Sequence, residues 1–231
     1  MGDNRGLRIT TTPRPGIALA TFDPDAYPFS LGMLQALDID SFEEIGNVSS
    51  STDRAGNNEA NLRFRRSLKK MPTETPLIQT YHRFVADAVG PLFASALSYT
   101  QHPVPRVQIP YSDTISGLHR DADYTGRWDY INGWLPMTDT PPELALEVET
   151  GYGTDLFEPI PLTYGQVLFF DAAMLKHGSS QNETRQPRVS IDFRFVAKAP
   201  SALRSHLIGH RPPDLVKASQ AEFRRLQAEV D

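Results

Sequence analysis

The sequence contains no cysteine. This absence excludes disulfide frameworks, thiolate zinc sites and cysteine nucleophiles. Long hydrophobic runs are missing as well, because no stretch approaches 18 consecutive apolar residues. The N-terminal sequence MGDNRGLRIT lacks the apolar segment of a secretory signal. We therefore expect a cytoplasmic protein without a membrane span.

Basic residues are outnumbered by acidic ones, 23 against 28, which gives a net charge of −5. This balance argues against nucleic acid or an anionic membrane as a partner. Hydrophobic residues make up 39% and charged residues 22% of the 231 residues, which is ordinary for a folded protein with its own core. We predict a single domain over residues 1–231, and nothing in the sequence specifies an oligomeric state.

The N-terminal region, residues 1–103, has a mixed helical and irregular pattern. Hydrophobic spacing and turn signals predict a few elements there. They are a short strand at 17–21, a helix at 30–45 with a break near 38–40, and a helix at 75–97 interrupted at Gly90-Pro91.

The stretch NVSSSTDRAGNNEAN, residues 47–61, is polar and too long for an ordinary connection between packed elements. We therefore expect a loop there. Together with the basic residues that follow it, residues 47–70 are interpreted as either a mobile lid or a disordered segment.

Residues 104–198 differ in character, because alternation and β-branched or aromatic residues dominate. Turn signals separate the apolar segments at intervals of roughly 10–15 residues. This pattern predicts a mainly β protein with flanking helices, whose core is a double-stranded β-helix, that is, a cupin-like jelly roll. The remaining residues, 199–231, are expected to carry a C-terminal helix at 213–230.

Three side chains in the β region form a candidate metal site. His119 and Asp121 flank one arginine, and in a strand they would point to the same face. His177 follows in a later segment and would complete a set of two histidines and one carboxylate. That set, with open positions left on the ion, is typical of non-haem Fe(II) oxygenases.

The segment RVSIDFRFV begins eleven residues after His177. Its alternation places Arg188, Ser190 and Arg194 on a polar face that we expect to point into the barrel. A buried guanidinium needs a partner, and a dicarboxylate ligand would supply one to Arg188, with help from the Ser190 hydroxyl. Arg194 is expected to pair with an internal carboxylate such as Asp192 or one from a neighbouring strand.

Four motifs, HRDADY, NGWLPMT, YGQVLFFDAAMLKHGSSQNET and RVSIDFRF, occur in this order. In combination they resemble the catalytic core of Fe(II)/2-oxoglutarate-dependent dioxygenases over residues 106–196. Within that superfamily they are similar to hydroxylases from streptomycin-type natural-product biosynthesis. The resemblance implies a jelly roll, iron bound by His119, Asp121 and His177, and 2-oxoglutarate held by Arg188 and Ser190.

The function implied by the resemblance is oxidation, most simply hydroxylation, of an unactivated C–H bond. The substrate would be a small molecule derived from a natural product or an amino acid, and O2 and 2-oxoglutarate would be consumed with release of succinate and CO2. Two alternatives stay open. One is a cupin-like metalloenzyme that uses no 2-oxoglutarate, and the other is a non-catalytic jelly-roll binding or sensor domain.

Other polar and aromatic residues are candidates for further roles. Tyr124, Asn132 and Trp134 are candidate substrate contacts, because they follow the metal motif or share a strand face near it. Glu149 is expected to be a solvated carboxylate, and the alternative is an inward-facing carboxylate that would favour a cationic substrate. Asp171 is expected to cap a turn.

Overall fold

The computed structural model describes residues 6–114 and 116–228. These residues form ten strands and eight helices. The strands are β1 (Arg8–Arg14), β2 (Ile17–Thr21), β3 (Leu97–Tyr99), β4 (Val104–Gln108), β5 (Ile131–Pro136), β6 (Leu146–Glu149), β7 (Phe157–Ile160), β8 (Gln166–Phe170), β9 (His177–Ser179) and β10 (Arg188–Ala197). The helices are α1 (Phe29–Leu37), α2 (Glu43–Gly46), α3 (Arg54–Leu68), α4 (Pro76–Phe84), α5 (Gly90–Leu92), α6 (Asp121–Thr125), α7 (Ala202–Ile208) and α8 (Pro213–Ala228), with a π turn at Val85–Val89.

The strands form two antiparallel sheets. The larger sheet has the order β1-β2-β8-β5-β10-β3, with β4 also paired to β10, and the smaller sheet has the order β7-β6-β9. Apolar side chains from both sheets, among them Trp134, Leu146, Val148 and Phe170, meet in one buried cluster. Two sheets packed face to face with helices outside confirm the prediction of a jelly-roll core with flanking helices.

Strand β10 shows how the larger sheet separates the core from the site. Its odd-numbered residues face the helices, where the Phe193 ring packs edge-on to Tyr81 with ring centroids 5.6 Å apart. Gly133 lies opposite Phe193 in β5, and a Cβ there would stand 2.3 Å from the Phe193 ring. The missing side chain therefore lets the ring lie across the neighbouring strand. The even-numbered residues of β10 face the inside of the barrel, as the alternation predicts.

The predicted loop at 47–61 is wrong from Arg54 onward. That segment belongs to α3, which begins after Asp53, whose side chain accepts a hydrogen bond from the Gly56 N–H. Strand β4 pairs with β10, and α3 packs beside it. Two buried asparagines of α3 bond to the chain that follows β4. Asn61 Oδ1 accepts from the Ile109 N–H at 2.7 Å, and Asn57 Nδ2 donates to the Tyr111 carbonyl at 2.9 Å.

The other helices follow the predicted pattern with shifted ends. The break after α1 is confirmed, because Asp38 adopts a left-handed conformation with φ 56°. The helix predicted at 75–97 begins at Pro76 and ends at Leu92, and the π turn directly precedes Gly90-Pro91, where the proline has no N–H to donate. Strand β1 and helix α7 were not predicted, and residues 229–230 of the predicted C-terminal helix lie outside the described residues.

Among the described residues, no helix combines the length and the apolar character needed to cross a lipid bilayer.

Candidate metal centre and adjoining pocket

The two histidines of the candidate site lie side by side. The backbones of His119 and His177 form an isolated bridge, in which each N–H donates to the other carbonyl at 3.0 Å. Their rings are 4.6 Å apart, centroid to centroid. The expectation that His119 and Asp121 share one strand face is wrong, because Asp121 is the first residue of helix α6. The turn into this helix brings the carboxylate to the histidines.

Hydrogen bonds fix which imidazole nitrogens face the centre. The Nδ1 atom of His119 lies 2.8 Å from the Gly117 carbonyl, and Nδ1 of His177 lies 3.1 Å from the Leu175 carbonyl. A carbonyl only accepts, so each Nδ1 donates its proton and each Nε2 faces the centre. Such outer contacts are the usual way in which proteins orient histidine ligands.

The three candidate ligand atoms converge. Oδ1 of Asp121 lies 3.4 Å from His119 Nε2 and 3.9 Å from His177 Nε2, and the three ligand atoms lie within 4.8 Å of one another. Two neutral nitrogens and one carboxylate oxygen at this spacing suit a divalent transition metal with positions left open. The residues therefore fit an ion of this kind.

The electrostatics of Asp121 and His177 favour metal binding. Burial raises the pKa of Asp121, but the hydrogen bond from His119 and the charges of His177 and Arg194 outweigh it and hold that pKa well below its usual range. Burial lowers the pKa of His177 to about 4, so this imidazole is neutral at pH 7. The hydrogen bond with Asp121 raises the pKa of His119. Asp121 is thus charged and His177 is neutral near pH 7, which are the protonation states that a metal needs in its ligands.

Residues 171–175 support both the Asp121 side and the His177 side of the site. The Asp121 N–H donates to the Ala172 carbonyl at 2.9 Å, and Arg120 Nε donates to the Met174 carbonyl at 3.0 Å. The Leu175 carbonyl holds His177, as described above. The Asp171 side chain is fully buried and accepts from Arg211 Nε and a terminal nitrogen at 2.5 and 2.6 Å. Asp171 therefore anchors this segment to the C-terminal region, beyond the turn cap that the sequence suggested.

Arg188 lies in the same cavity as the two histidines. It is 4% exposed, and its Nε has no hydrogen-bond partner among the described residues. One terminal nitrogen reaches only the Leu144 carbonyl, at 3.5 Å. Burial lowers the pKa of Arg188 to about 10, so the guanidinium stays charged at neutral pH. The nearby Ser190 hydroxyl is also buried and unpaired within the described chain.

These unpaired groups form a pocket that suits an anion. A buried cation without a partner is costly, and a carboxylate would satisfy both the guanidinium and the hydroxyl. Arg188 and Ser190 stand on the same face of β10, two residues apart, as the alternation predicts.

The cavity also contains an ion pair that the sequence did not predict. Arg106 Nε donates to Asp192 Oδ2 at 2.6 Å, and both side chains face the barrel interior. The sequence held one signal, since Arg106 lies at an alternating position in VPRVQ. The pairing of Arg194 differs from the expectation too. Its Nε donates to Asp121 Oδ2 at 2.7 Å, so its partner is the candidate metal carboxylate on α6.

The candidate substrate contacts divide into two groups. Asn132 and Trp134 line the cavity beside the histidines, and the Asn132 side-chain oxygen has no partner within the described residues. Tyr124 is 62% exposed and stands edge-on to His119 with ring centroids 6.0 Å apart, so it lies at the rim. The expectation that Glu149 is solvated is wrong. Its side chain is fully buried and accepts hydrogen bonds from the backbone N–H groups of Asp155 and Lys176.

Comparison with known proteins gives one curated relative and several solved structures. No protein-family model matches the sequence. The streptomycin biosynthesis protein StrG of Streptomyces griseus is 29% identical over 136 residues, which are 58% of this chain and 62% of StrG. The aligned region thus spans less than two thirds of that relative.

Among solved structures, AviO1 from Streptomyces viridochromogenes Tue57 has a TM-score of 0.54 and 18% identity, covering 81% of this chain and 92% of AviO1. The non-heme alpha-ketoglutarate-dependent epimerase SnoN from nogalamycin biosynthesis has a TM-score of 0.45 and 16% identity, covering 86% of this chain and 85% of SnoN. The motif resemblance to proteins of streptomycin-type natural-product biosynthesis is confirmed by the similarity to StrG, and the chain shares the fold of AviO1.

Proposed function

We propose that the protein is an Fe(II)- and 2-oxoglutarate-dependent oxygenase in which His119, Asp121 and His177 bind the iron. The observation that carries this proposal is that the two histidines of the candidate metal site and a buried arginine lie in one cavity. Two imidazole nitrogens and a carboxylate oxygen converge there, and a buried guanidinium whose Nε has no partner among the described residues lies in the same space. A metalloenzyme that uses no co-substrate would have no need for that guanidinium.

In this proposal Arg188 and Ser190 bind the distal carboxylate of 2-oxoglutarate. The guanidinium supplies a charge-assisted bond, and the hydroxyl supplies a second donor. Arg188 is almost fully buried, so this bond would be shielded from water and would select a dicarboxylate over a monocarboxylate.

The bound iron and 2-oxoglutarate would supply oxidation of a C–H bond by O2, with succinate and CO2 as the other products. The chain itself binds and orients the reactants. Asn132 and Trp134 line the cavity wall, and Tyr124 stands at its rim, so we assign these three residues to the substrate. The narrow cavity between the sheets would limit the entry of water.

Hydroxylation is the proposed outcome, and a small natural-product or amino-acid-derived molecule is the proposed substrate. The likeness to a streptomycin biosynthesis protein supports the substrate class. SnoN is named an epimerase, and epimerisation is a different outcome from hydroxylation. Analysis of the product therefore tests the reaction outcome separately from the formation of succinate.

The first experiment measures O2-dependent conversion of 2-oxoglutarate to succinate by the protein loaded anaerobically with Fe(II). We expect succinate formation that requires both iron and O2. The variant His177→Ala should lose it, whereas His210→Ala, an exposed histidine far along the chain, should retain it. Equal activity of the two variants would refute the proposed ligand set.

A further inference from the structure

The two oxygens of Asp121 have different partners. Arg194 Nε donates to Oδ2 at 2.7 Å, while Oδ1 faces the imidazoles of His119 and His177 at 3.4 and 3.9 Å. One oxygen is therefore already engaged by a guanidinium. The other is the oxygen available to an ion between the histidines.

We propose that Arg194 is a positioning residue that keeps Asp121 a one-oxygen ligand of the metal ion. This inference rests on the proposed function. A carboxylate that binds through both oxygens would occupy an additional coordination position, and the two-histidine, one-carboxylate set requires open positions for its co-substrate. By holding Oδ2, Arg194 preserves one of those positions for 2-oxoglutarate.

The backbone of Arg194 is well placed for this role. It lies in the interior strand β10, opposite Asn132 of β5, and its carbonyl accepts from the Thr100 N–H at 3.0 Å. The side chain is 22% exposed and that of Asp121 only 6%. A charge-assisted hydrogen bond in so sheltered a position has a fixed geometry and is stronger than one in water.

A purely structural role for Arg194, neutralising a buried carboxylate, would change stability without changing metal coordination. Arg106 provides a matched control. It lines the same cavity, is 18% exposed, and donates its Nε to the carboxylate of Asp192 at 2.6 Å. Removing Arg106 takes the same positive charge out of the cavity but leaves the hydrogen bond from Arg194 to Asp121 Oδ2 intact.

The substitutions separate the hydrogen bond from the charge. In Arg194→Gln the amide nitrogen occupies the position of Nε in the side chain, so the donor stays and the charge is lost. In Arg194→Met a methyl group takes that position, so both are lost. In Arg194→Lys the charge stays, but the donor moves one bond further out.

The experiment uses Co(II) as the probe in the full-length protein and records the visible absorption spectrum, which reports coordination number. It then measures 2-oxoglutarate affinity by anaerobic calorimetry. We expect Arg194→Met and Arg194→Lys to change the spectrum and to weaken 2-oxoglutarate binding by about 10-fold or more. Arg194→Gln and Arg106→Met should keep the wild-type spectrum.

The outcomes distinguish this inference from the proposed function. If the wild-type protein binds no Co(II), both are overturned. If it binds Co(II) and the spectra of Arg194→Met and the wild type agree, only the role of Arg194 is wrong. Should Arg194→Met fail to fold, Arg194→Lys and Arg194→Gln decide: a spectrum preserved in Lys and changed in Gln would mean that charge matters and the hydrogen bond does not.

Discussion

At the scale of single residues, the arginines of the cavity have distinct partners. Arg106 pairs with Asp192 and Arg194 with Asp121, while among the described residues the buried Arg188 has only a long contact to a backbone carbonyl. Uncompensated buried charge is unfavourable, so Arg188 is the group most in need of a ligand. This difference allows its role to be tested by ligand chemistry.

We predict that Arg188→Met weakens binding of 2-oxoglutarate to the metal-loaded protein by about 100-fold or more, because a buried charge pair contributes several kcal/mol. The matched ligand is 2-oxopentanoate, which keeps the 2-oxo acid end and has a methyl group in place of the distal carboxylate. Calorimetry should show that wild type strongly prefers 2-oxoglutarate and that Arg188→Met does not. A wild-type protein without this preference would contradict the assignment of Arg188.

A tight backbone contact gives a second prediction at this scale. A Cβ on Gly178 would lie 3.1 Å from the Gly117 carbonyl oxygen, which holds the His119 ring. Gly178→Ala should therefore displace this carbonyl and weaken Co(II) binding, as loss of an outer-sphere partner commonly does by about 10- to 100-fold. Gly6→Ala, where a Cβ meets nothing within 4 Å, is the control. Unchanged Co(II) affinity in Gly178→Ala would show that the bridge tolerates the methyl group.

At the scale of elements, helix α3 buries polar side chains as well as apolar ones. Its buried residues include Asn57 and Asn61, whose amides bond to backbone groups beyond the end of β4. Residues 54–59 contain no large apolar side chain, and this is why the sequence indicated a loop. The Asp53 cap was present in the sequence, but the apolar stripe of Ala60, Phe64 and Leu68 begins only at the end of the predicted loop.

We predict that Asn61→Ala lowers the free energy of unfolding by about 1–3 kcal/mol, because it leaves the buried Ile109 N–H without a partner. Glu59→Ala, on the exposed side of the same helix, should change it by about 0.5 kcal/mol or less. Urea denaturation measures both. Equal effects would mean that the buried amide contributes no more than a surface residue.

The sequence predicted the elements that follow regular alternation. The inward face of β10, with Arg188 and Ser190, belongs to this group. The sequence also named the three residues that converge in the candidate metal site, although His119 and Asp121 do not alternate along one strand. It could not predict how His119 and Asp121 meet, because a bridge and a helix start replace the expected strand. The partner of Arg194 was equally hidden, since the contact joins elements 73 residues apart.

At the scale of the whole molecule, the C-terminal region is attached to the barrel by a buried ion pair. Arg211 binds both carboxylate oxygens of Asp171, and the Tyr152 hydroxyl donates to the same carboxylate at 2.9 Å. Helix α8 then packs against α6, where Trp128 lies edge-on to Phe223. The end of the chain thus supports the helix that carries Asp121.

We predict that Arg211→Met destabilises the protein by about 3–5 kcal/mol, because it leaves Asp171 buried without its counter-charge. Arg127→Met, which removes an exposed pair with Asp129, should cost about 1 kcal/mol or less. Thermal or urea denaturation of the two variants tests this. Similar stabilities would show that the C-terminal attachment does not depend on this charge pair.

The position of β10 has a consequence for the order in which the protein folds. It is the last of the described strands, yet it pairs with β5 on one side and with β3 and β4 on the other. During synthesis, the edges of β3, β4 and β5 that pair with β10 therefore stay exposed until residue 197 has been made. Contacts between distant parts of a chain form slowly, and exposed strand edges invite association with other chains. The nascent protein is thus most vulnerable to aggregation immediately before its last strand emerges from the ribosome.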